Sequence, residues 1–158
     1  MGTEVNGSWA QDIMFSGGVI HIIDTVMTVP LVPSFSAIDS NLTALAGALT
    51  TTKLISAVDG LNDVTIFAPS NAAFQAIGSA TGSLTTEQLA GILEYHVING
   101  TVGYSSLLTT GLSNESFPTL QGGSVMVEVE NGKVFVNSAQ VVITDIIIAN
   151  GVMHVVDK

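Results

Sequence analysis

The chain has 158 residues, 47% of them apolar, with three lysines and no arginine against thirteen acidic residues, for a formal net charge of −10. That length buries roughly 70% of the unfolded surface, enough for a core without crosslinks, while the charge repels nucleic acid and anionic lipid. The lack of cysteine excludes disulfides, thiolate chemistry and cysteine-ligated metals. Every apolar run is far shorter than the about 20 residues that span a bilayer, so no direct membrane insertion is expected.

Residues 1–11 are polar, and Met1-Gly2-Thr3-Glu4 lacks the basic start and apolar run of a signal peptide. The N-terminus therefore reads as an artificial start. Asn6 breaks the myristoylation pattern. From Gly18 to Val29 a β-branched apolar sequence broken by His21 and Asp24 reads as a strand.

Part of this region recurs. Asp12–Asp24 (DIMFSGGVIHIID) and Asp145–Asp157 (DIIIANGVMHVVD) align with an offset of 133, and six of thirteen positions are identical, among them Asp12/Asp145, Gly18/Gly151 and His21/His154. There is room for one domain, so the repeat reads as a piece of a tandem array. Residues 1–30 are then the C-terminal strand region of a preceding unit, and residues 31–158 are one complete unit. A leading strand without its parent unit has unpaired backbone and apolar side chains to cover, so Gly18–Val26 is expected to dock on its own domain or a neighbour.

Pro30 and Pro33 force extended backbone and mark a linker. Beyond it Leu42, Leu45, Ala46 and Leu49 repeat at helical spacing behind Ser40 as a cap, and Leu54, Val58 and Leu61 continue, giving one or two short helices. Asp63–Ser70 (DVTIFAPS) reads as a buried strand stopped by Pro69, with Ser70 capping a short helix through Phe74 and Ile77. Thr85 and Gln88 have capping-box spacing before a helix burying Leu89, Ile92 and Leu93, which gives way to Glu94–Ile98 and a turn at Asn99-Gly100.

Asn131-Gly132 between two alternating runs predicts a two-residue hairpin. Its register pairs Glu130 with Lys133 and gathers Val125, Val127, Val129, Val134 and Val136 on a core face, opposite Met126, Glu128, Glu130, Lys133 and Phe135. A turn near Asn137-Ser138 leads into Val141–Ile148, and Asn150-Gly151 leads into a last strand, Val152–Val156. The unit is α+β, with helices concentrated in its first half and antiparallel strands in its second.

Asn6, Asn41, Asn99 and Asn114 each open an N-glycosylation sequon. Four such sites point to an extracellular, secreted or surface-anchored glycoprotein.

Thr65–Phe74 (TIFAPSNAAF) resembles the first signature of the fasciclin domain, and Asn150–Asp157 (NGVMHVVD) resembles its second, with Tyr95-His96 matching the tyrosine-histidine pair between them. Thr119–Gly122 and Val136-Asn137 extend the likeness over about residues 36 to 158. The resemblance implies a fasciclin-type β-wedge or sandwich of mostly antiparallel strands, with several short helices packed in the N-terminal half. It implies an extracellular cell-adhesion or matrix domain, without catalysis or cofactor, contacting a cell-surface or matrix protein or glycan, or another copy of itself. It also makes Tyr95 and His96 the candidate adhesion contact. Their bland reading is a half-buried tyrosine and a histidine hydrogen-bonded at a helix end.

Rival chemistries are thin. Glu128 and Glu130 make an exposed two-carboxylate edge, too few donors for a metal cage, and no metal ligands are assigned. A serine hydrolase needs Ser, His and Asp in contact, and there is no Gly-x-Ser-x-Gly elbow. A polysaccharide or small-ligand module remains an alternative, although one tryptophan, two tyrosines and six phenylalanines leave little for an aromatic platform.

Overall fold

The structure is a computed structural model that describes residues 4–5, 8–9, 13–20, 26, 29, 41–78, 84–111 and 113–158. Four short strands come first: β1 (Glu4–Val5), β2 (Ser8–Trp9), β3 (Ile13–Phe15) and β4 (Gly18–Ile20). The domain proper runs α1 (Thr43–Thr52), α2 (Ile55–Asp59), β5 (Val64–Pro69), α3 (Asn71–Ala76), α4 (Thr86–Tyr95), β6 (Val97–Asn99) and α5 (Ser105–Thr110). It continues through β7 (Glu115–Pro118), β8 (Ser124–Glu130), β9 (Lys133–Val136), β10 (Ala139–Ile148) and β11 (Gly151–Val156).

Among the described residues the main sheet has seven strands in the order β6-β5-β11-β10-β9-β8-β7. All of its pairs are antiparallel except β5 with β11, which run parallel from Gly151↔Val64 to Val156↔Pro69. Parallel strands need cover on both faces, and β5 is buried at all six positions. Val64, Ile66 and Ala68 join Leu45, Leu49 and Leu93 of the helices in one core cluster. Phe67 turns the other way, into a cluster with Val125, Val127, Val136 and Val156. The two ends of the sheet approach each other, since Ile98 bridges Thr119 and the Leu120 N–H donates to the Val97 carbonyl at 2.8 Å.

The predicted turn chemistry is realised. Asn131 (φ 52°) and Gly132 (φ 76°) supply two left-handed residues, and the register pairs Glu130 with Lys133 and Val129 with Val134. Val125, Val127, Val134 and Val136 are buried, while Glu128, Glu130 and Lys133 are exposed. Ser70 accepts from the Ala73 N–H at 3.2 Å, and Thr85 with Gln88 completes the capping box.

Three expectations need correction. Gly18–Ile20 is a strand, but Val26 and Val29 lie outside any strand, so the leading strand does not run on to Val29. The helix before His96 extends through Tyr95, two residues beyond the expected boundary. The first helix takes a cap from elsewhere: the Asn71 side chain accepts from the Ala44 N–H at 2.9 Å and donates to the Thr43 hydroxyl at 3.0 Å. Ser40, Asn6, His21 and the linker 30–34 lie outside the described residues.

The leading repeat folds as its counterpart does. β3 and β4 pair as Ile13↔Ile20, Met14↔Val19 and Phe15↔Gly18. Adding 133 to each number gives Ile146↔Met153, Ile147↔Val152 and Ile148↔Gly151, the observed pairs of β10 with β11. One sequence pattern makes one hairpin twice, in one register. The β3–β4 pair forms a sheet of its own, separate from the seven-stranded one.

Candidate functional site

The central parallel pair carries the most polar part of the core. His154 on β11 is fully buried and stacks on Phe67 of β5, with ring centroids 5.7 Å apart. Its Nδ1 accepts from the Asp145 backbone N–H at 3.3 Å, and its Nε2–H donates to the Gly103 carbonyl at 2.8 Å. A carbonyl only accepts, so the proton sits on Nε2 and the ring is neutral. Burial lowers the His154 pKa from its ordinary value, only partly opposed by the Gly103 bond and Asp145.

Asp145 sits at an irregularity of β10 with φ 60°. Its carboxylate accepts from the Ser105 N–H at 2.8 Å and from the Ser105 hydroxyl. Burial alone would raise this carboxyl, but the Ser105 bonds and the neighbouring His154 hold it below its ordinary value. Thr65 completes the cluster: its hydroxyl donates to the Thr101 carbonyl at 2.7 Å and accepts from the Gly103 N–H at 2.8 Å.

A serine, a histidine and an aspartate therefore do come together, but in the wrong order for hydrolysis. A serine nucleophile must give its proton to imidazole while aspartate holds the other ring N–H. Here Ser105 is bonded to Asp145, and both imidazole nitrogens are used on backbone groups. The cluster pins the loop at Gly103, the start of α5 and the β10 irregularity onto β11. Sequence reading missed Ser105 and Thr65. The identity of Asp12 with Asp145 in the repeat was the available signal for Asp145.

Tyr95 and His96 close α4. The Tyr95 hydroxyl donates to the Ser124 carbonyl at 2.7 Å and accepts from the Asn137 side-chain amide at 3.2 Å. Its ring lies so close to Gly123 that a β-carbon there would sit 3.0 Å away. His96 Nδ1–H donates to the Ile92 carbonyl at 2.7 Å, and burial lowers its pKa against that bond. Both side chains are half-buried, and Tyr95 joins α4 to β8 and the β9–β10 turn. Asn41, Asn99 and Asn114 are exposed.

Several large apolar side chains are exposed. Val142, Ile143 and Ile147 on β10 are 49%, 41% and 58% accessible, with Tyr104 and Leu107 of the α5 region at 40% and 45%. Tyr104 and Ile147 line one shallow depression. The apolar residues on either side of Thr144 and Asp145 in β10 were its sequence signal. Among the described residues no group of three or more His, Asp or Glu side chains is placed to hold a metal ion, and no helix is long and apolar enough to cross a membrane.

The fasciclin domain family model matches residues 40–158. The chain belongs to the fasciclin domain family. It is 37% identical over 139 residues to a fasciclin-like arabinogalactan protein of Arthroderma benhamiae, covering 88% of this chain and 32% of that protein. It is 27% identical over 149 residues to human periostin, covering 90% of this chain and 17% of that protein. A solved FAS1 domain pair from the insect cell adhesion molecule Fasciclin I superposes with a TM-score of 0.68 at 23% identity, covering 95% of this chain and 57% of that one, which establishes the fold. The chain thus spans about a third of the length of the Arthroderma relative. Both fasciclin signatures lie on the central parallel pair and its caps, Thr65–Phe67 and Asn71 in one and Asn150–Val156 in the other.

Proposed function

We propose that this fasciclin domain is an extracellular contact module that binds a cell-surface, matrix or cell-wall partner through its surface and performs no catalysis. The observation that carries this is the exposure of large apolar side chains, Val142, Ile143 and Ile147 of β10 with Tyr104 and Leu107, of which Tyr104 and Ile147 line one depression, on a chain of net charge −10. Exposed apolar surface on an acidic protein is characteristic of contact sites. The solved neighbour's origin in a cell adhesion molecule and the closed hydrogen-bonding of Ser105, Asp145 and His154 support the same reading.

Tyr95 acts in this scheme by holding the β8 and β9–β10 backbone, and contact through Tyr95-His96 themselves is the competing placement. Glycans at Asn41, Asn99 and Asn114 project from exposed positions. Residues 1–30 end a preceding unit of a tandem array, and residues 31–158 are the complete one. The matched hairpin registers support that division.

Beads coated with the protein test the reading. They are expected to self-aggregate or to bind fungal, plant or animal matrix preparations, and Ile147→Glu is expected to abolish this while leaving the circular dichroism spectrum unchanged. Retained binding in Ile147→Glu with loss in His96→Ala would move the contact to the tyrosine-histidine pair. Labelling of Ser105 by a fluorophosphonate would overturn the non-catalytic reading.

A further inference from the structure

The Asn-Gly pairs that turn this chain also carry a latent reaction. Asn-Gly begins at residues 6, 99, 131 and 150, and the last three pairs lie among the described residues. Asparagine is thermolabile because the backbone nitrogen of the following residue can attack its side-chain carbonyl carbon. Glycine has no β-carbon to hinder that approach, and its backbone turns freely. With the dipeptide held constant, reaction depends on whether the fold leaves the amide free and the backbone able to turn.

Asn150-Gly151 has neither freedom. The Asn150 amide nitrogen donates to the Val58 carbonyl at 2.8 Å and the Leu61 carbonyl at 3.2 Å. Gly151 is in register with Ile148 on one side and Val64 on the other. Asn99 is exposed but belongs to β6, where it is in register with Val64, and the glycan proposed for it would occupy the nitrogen that must leave. Asn131-Gly132 has both freedoms. The two residues are exposed and form the tip of the β8–β9 hairpin beyond the Glu130↔Lys133 pair. Among the described residues no hydrogen bond holds the Asn131 side chain or the Gly132 N–H, and the space beside Gly132 is open. Asn131 is also a non-glycine residue at φ 52°, a conformation that costs it energy to keep.

We propose that Asn131 is a site of spontaneous deamidation. The Gly132 backbone nitrogen bonds to Asn131 Cγ, the Cγ–Nδ2 bond breaks, and ammonia departs carrying the Gly132 proton, which leaves a five-membered succinimide. Water then opens the ring at Cγ to give aspartate at position 131, or at the main-chain carbonyl to give isoaspartate. One water is consumed and one ammonia released, with no oxidant and no catalyst. Either product adds a negative charge beside Glu130 on a chain already at −10. Isoaspartate also adds a methylene to the main chain of a two-residue turn, which loosens the Glu130↔Lys133 register. The hairpin tip thus gains charge as the protein ages.

Incubating the folded, unglycosylated chain at pH 8 tests this, with peptide mass mapping of all three pairs and detection of isoaspartate by an isoaspartyl methyltransferase. Asn131 is expected to convert first, faster than Asn150 by roughly tenfold or more, the worth of the two hydrogen bonds that hold the Asn150 amide. In urea above the unfolding midpoint the three rates should converge, because the dipeptide is then all that matters. Asn131→Gln should remove the early ammonia release and leave the other two pairs unchanged. Asn99 or Asn150 reacting before Asn131 in the folded chain would overturn the assignment. So would an Asn131 rate that rises in urea as much as that of Asn150, since the hairpin would then be protecting it.

Discussion

Gly151 marks the closest approach in the sheet, and replacing it tests the account of the central pair. An ideal β-carbon at this position would lie 2.0 Å from the Val64 carbonyl oxygen and 2.8 Å from both Val64 C and N. Those are backbone atoms of a strand paired on both sides, so no rotamer change relieves the overlap. Clearing it needs β5 and β11 to part by about 1 Å at that end, judged against the 3.0 Å floor for real β-carbons. Parting endangers the Val64 N–H bond to the Asn150 carbonyl at 3.1 Å and the ladder bond beyond it. Two such bonds are worth about 1 kcal/mol each, and overpacking adds about 1–3 kcal/mol. Gly151→Ala should therefore cost about 3–5 kcal/mol, a large share of the about 5–15 kcal/mol of a typical domain. Urea unfolding followed by far-ultraviolet circular dichroism measures this, with Gly18→Ala as the control. Gly18 is the aligned glycine of the leading hairpin, which among the described residues has no pairing to the main sheet, so that change should leave the domain's unfolding midpoint unmoved. A cost below about 1 kcal/mol for Gly151→Ala would refute the steric argument.

Gly47 and Gly91 lie inside α1 and α4 with nothing within 4 Å of an added β-carbon, so alanine at each should stabilise by about 0.5–1 kcal/mol in the same assay. Tyr95→Phe removes the bond to the Ser124 carbonyl and the acceptor for Asn137, and should cost about 1–2 kcal/mol while retaining adhesion if the β10 face is the contact. Acid should weaken the fold in two stages. His96 and His154 have folded pKa values below the ordinary 6.5, so the unfolded chain binds more protons; stability is complete above about pH 6.5 and is lost as pH falls through the folded values, by at most about 1.4 kcal/mol per pH unit per histidine. Asp145 is also lowered, from 3.8, so its contribution is present above that value and is lost only at lower pH. His154→Gln should flatten the first stage, and stability constant from pH 7.5 to 5 would contradict the burial of both histidines.

What the sequence disclosed was whatever a local rule dictates. Asn131-Gly132 announces a hairpin because few dipeptides accept two left-handed residues, and its register followed from a pattern of period two. Ser70 and the Thr85–Gln88 box were legible because a cap acts within four residues. The failures are non-local. Asn71 caps α1 from 27 residues away, and no composition rule near Ser40 foretells that. β7 ends at Pro118 on the edge of the sheet, where a missing N–H costs nothing but where the sequence offers no alternation. The parallel contact of β5 with β11 joins residues almost ninety positions apart; local pattern marked each as a strand, but nothing local pairs them. The buried polar cluster was hidden for the same reason: Thr65, Ser105, Asp145 and His154 become partners only after the sheet has formed.

The repeat turns that non-locality to use. In the seven-stranded sheet β11 is held between β10 and β5, and Gly151 is needed because β5 lies against it. In the leading hairpin the β10–β11 half of this arrangement is reproduced pair for pair, and glycine stands at the same place, but among the described residues its sheet has two strands and none in the place of β5. Ile20, aligned with the fully buried Met153, is 51% exposed. A hairpin keeping both the glycine and the apolar residue is shaped for a parallel neighbour like Val64–Pro69. Adding a preceding unit by extending the chain N-terminally should therefore protect the Gly18–Ile20 amides from hydrogen exchange, while in the present chain they should exchange faster than those of Gly151–Met153. Equal protection in the present chain would mean that the leading hairpin already has its partner, and that the two copies are not remnant and whole.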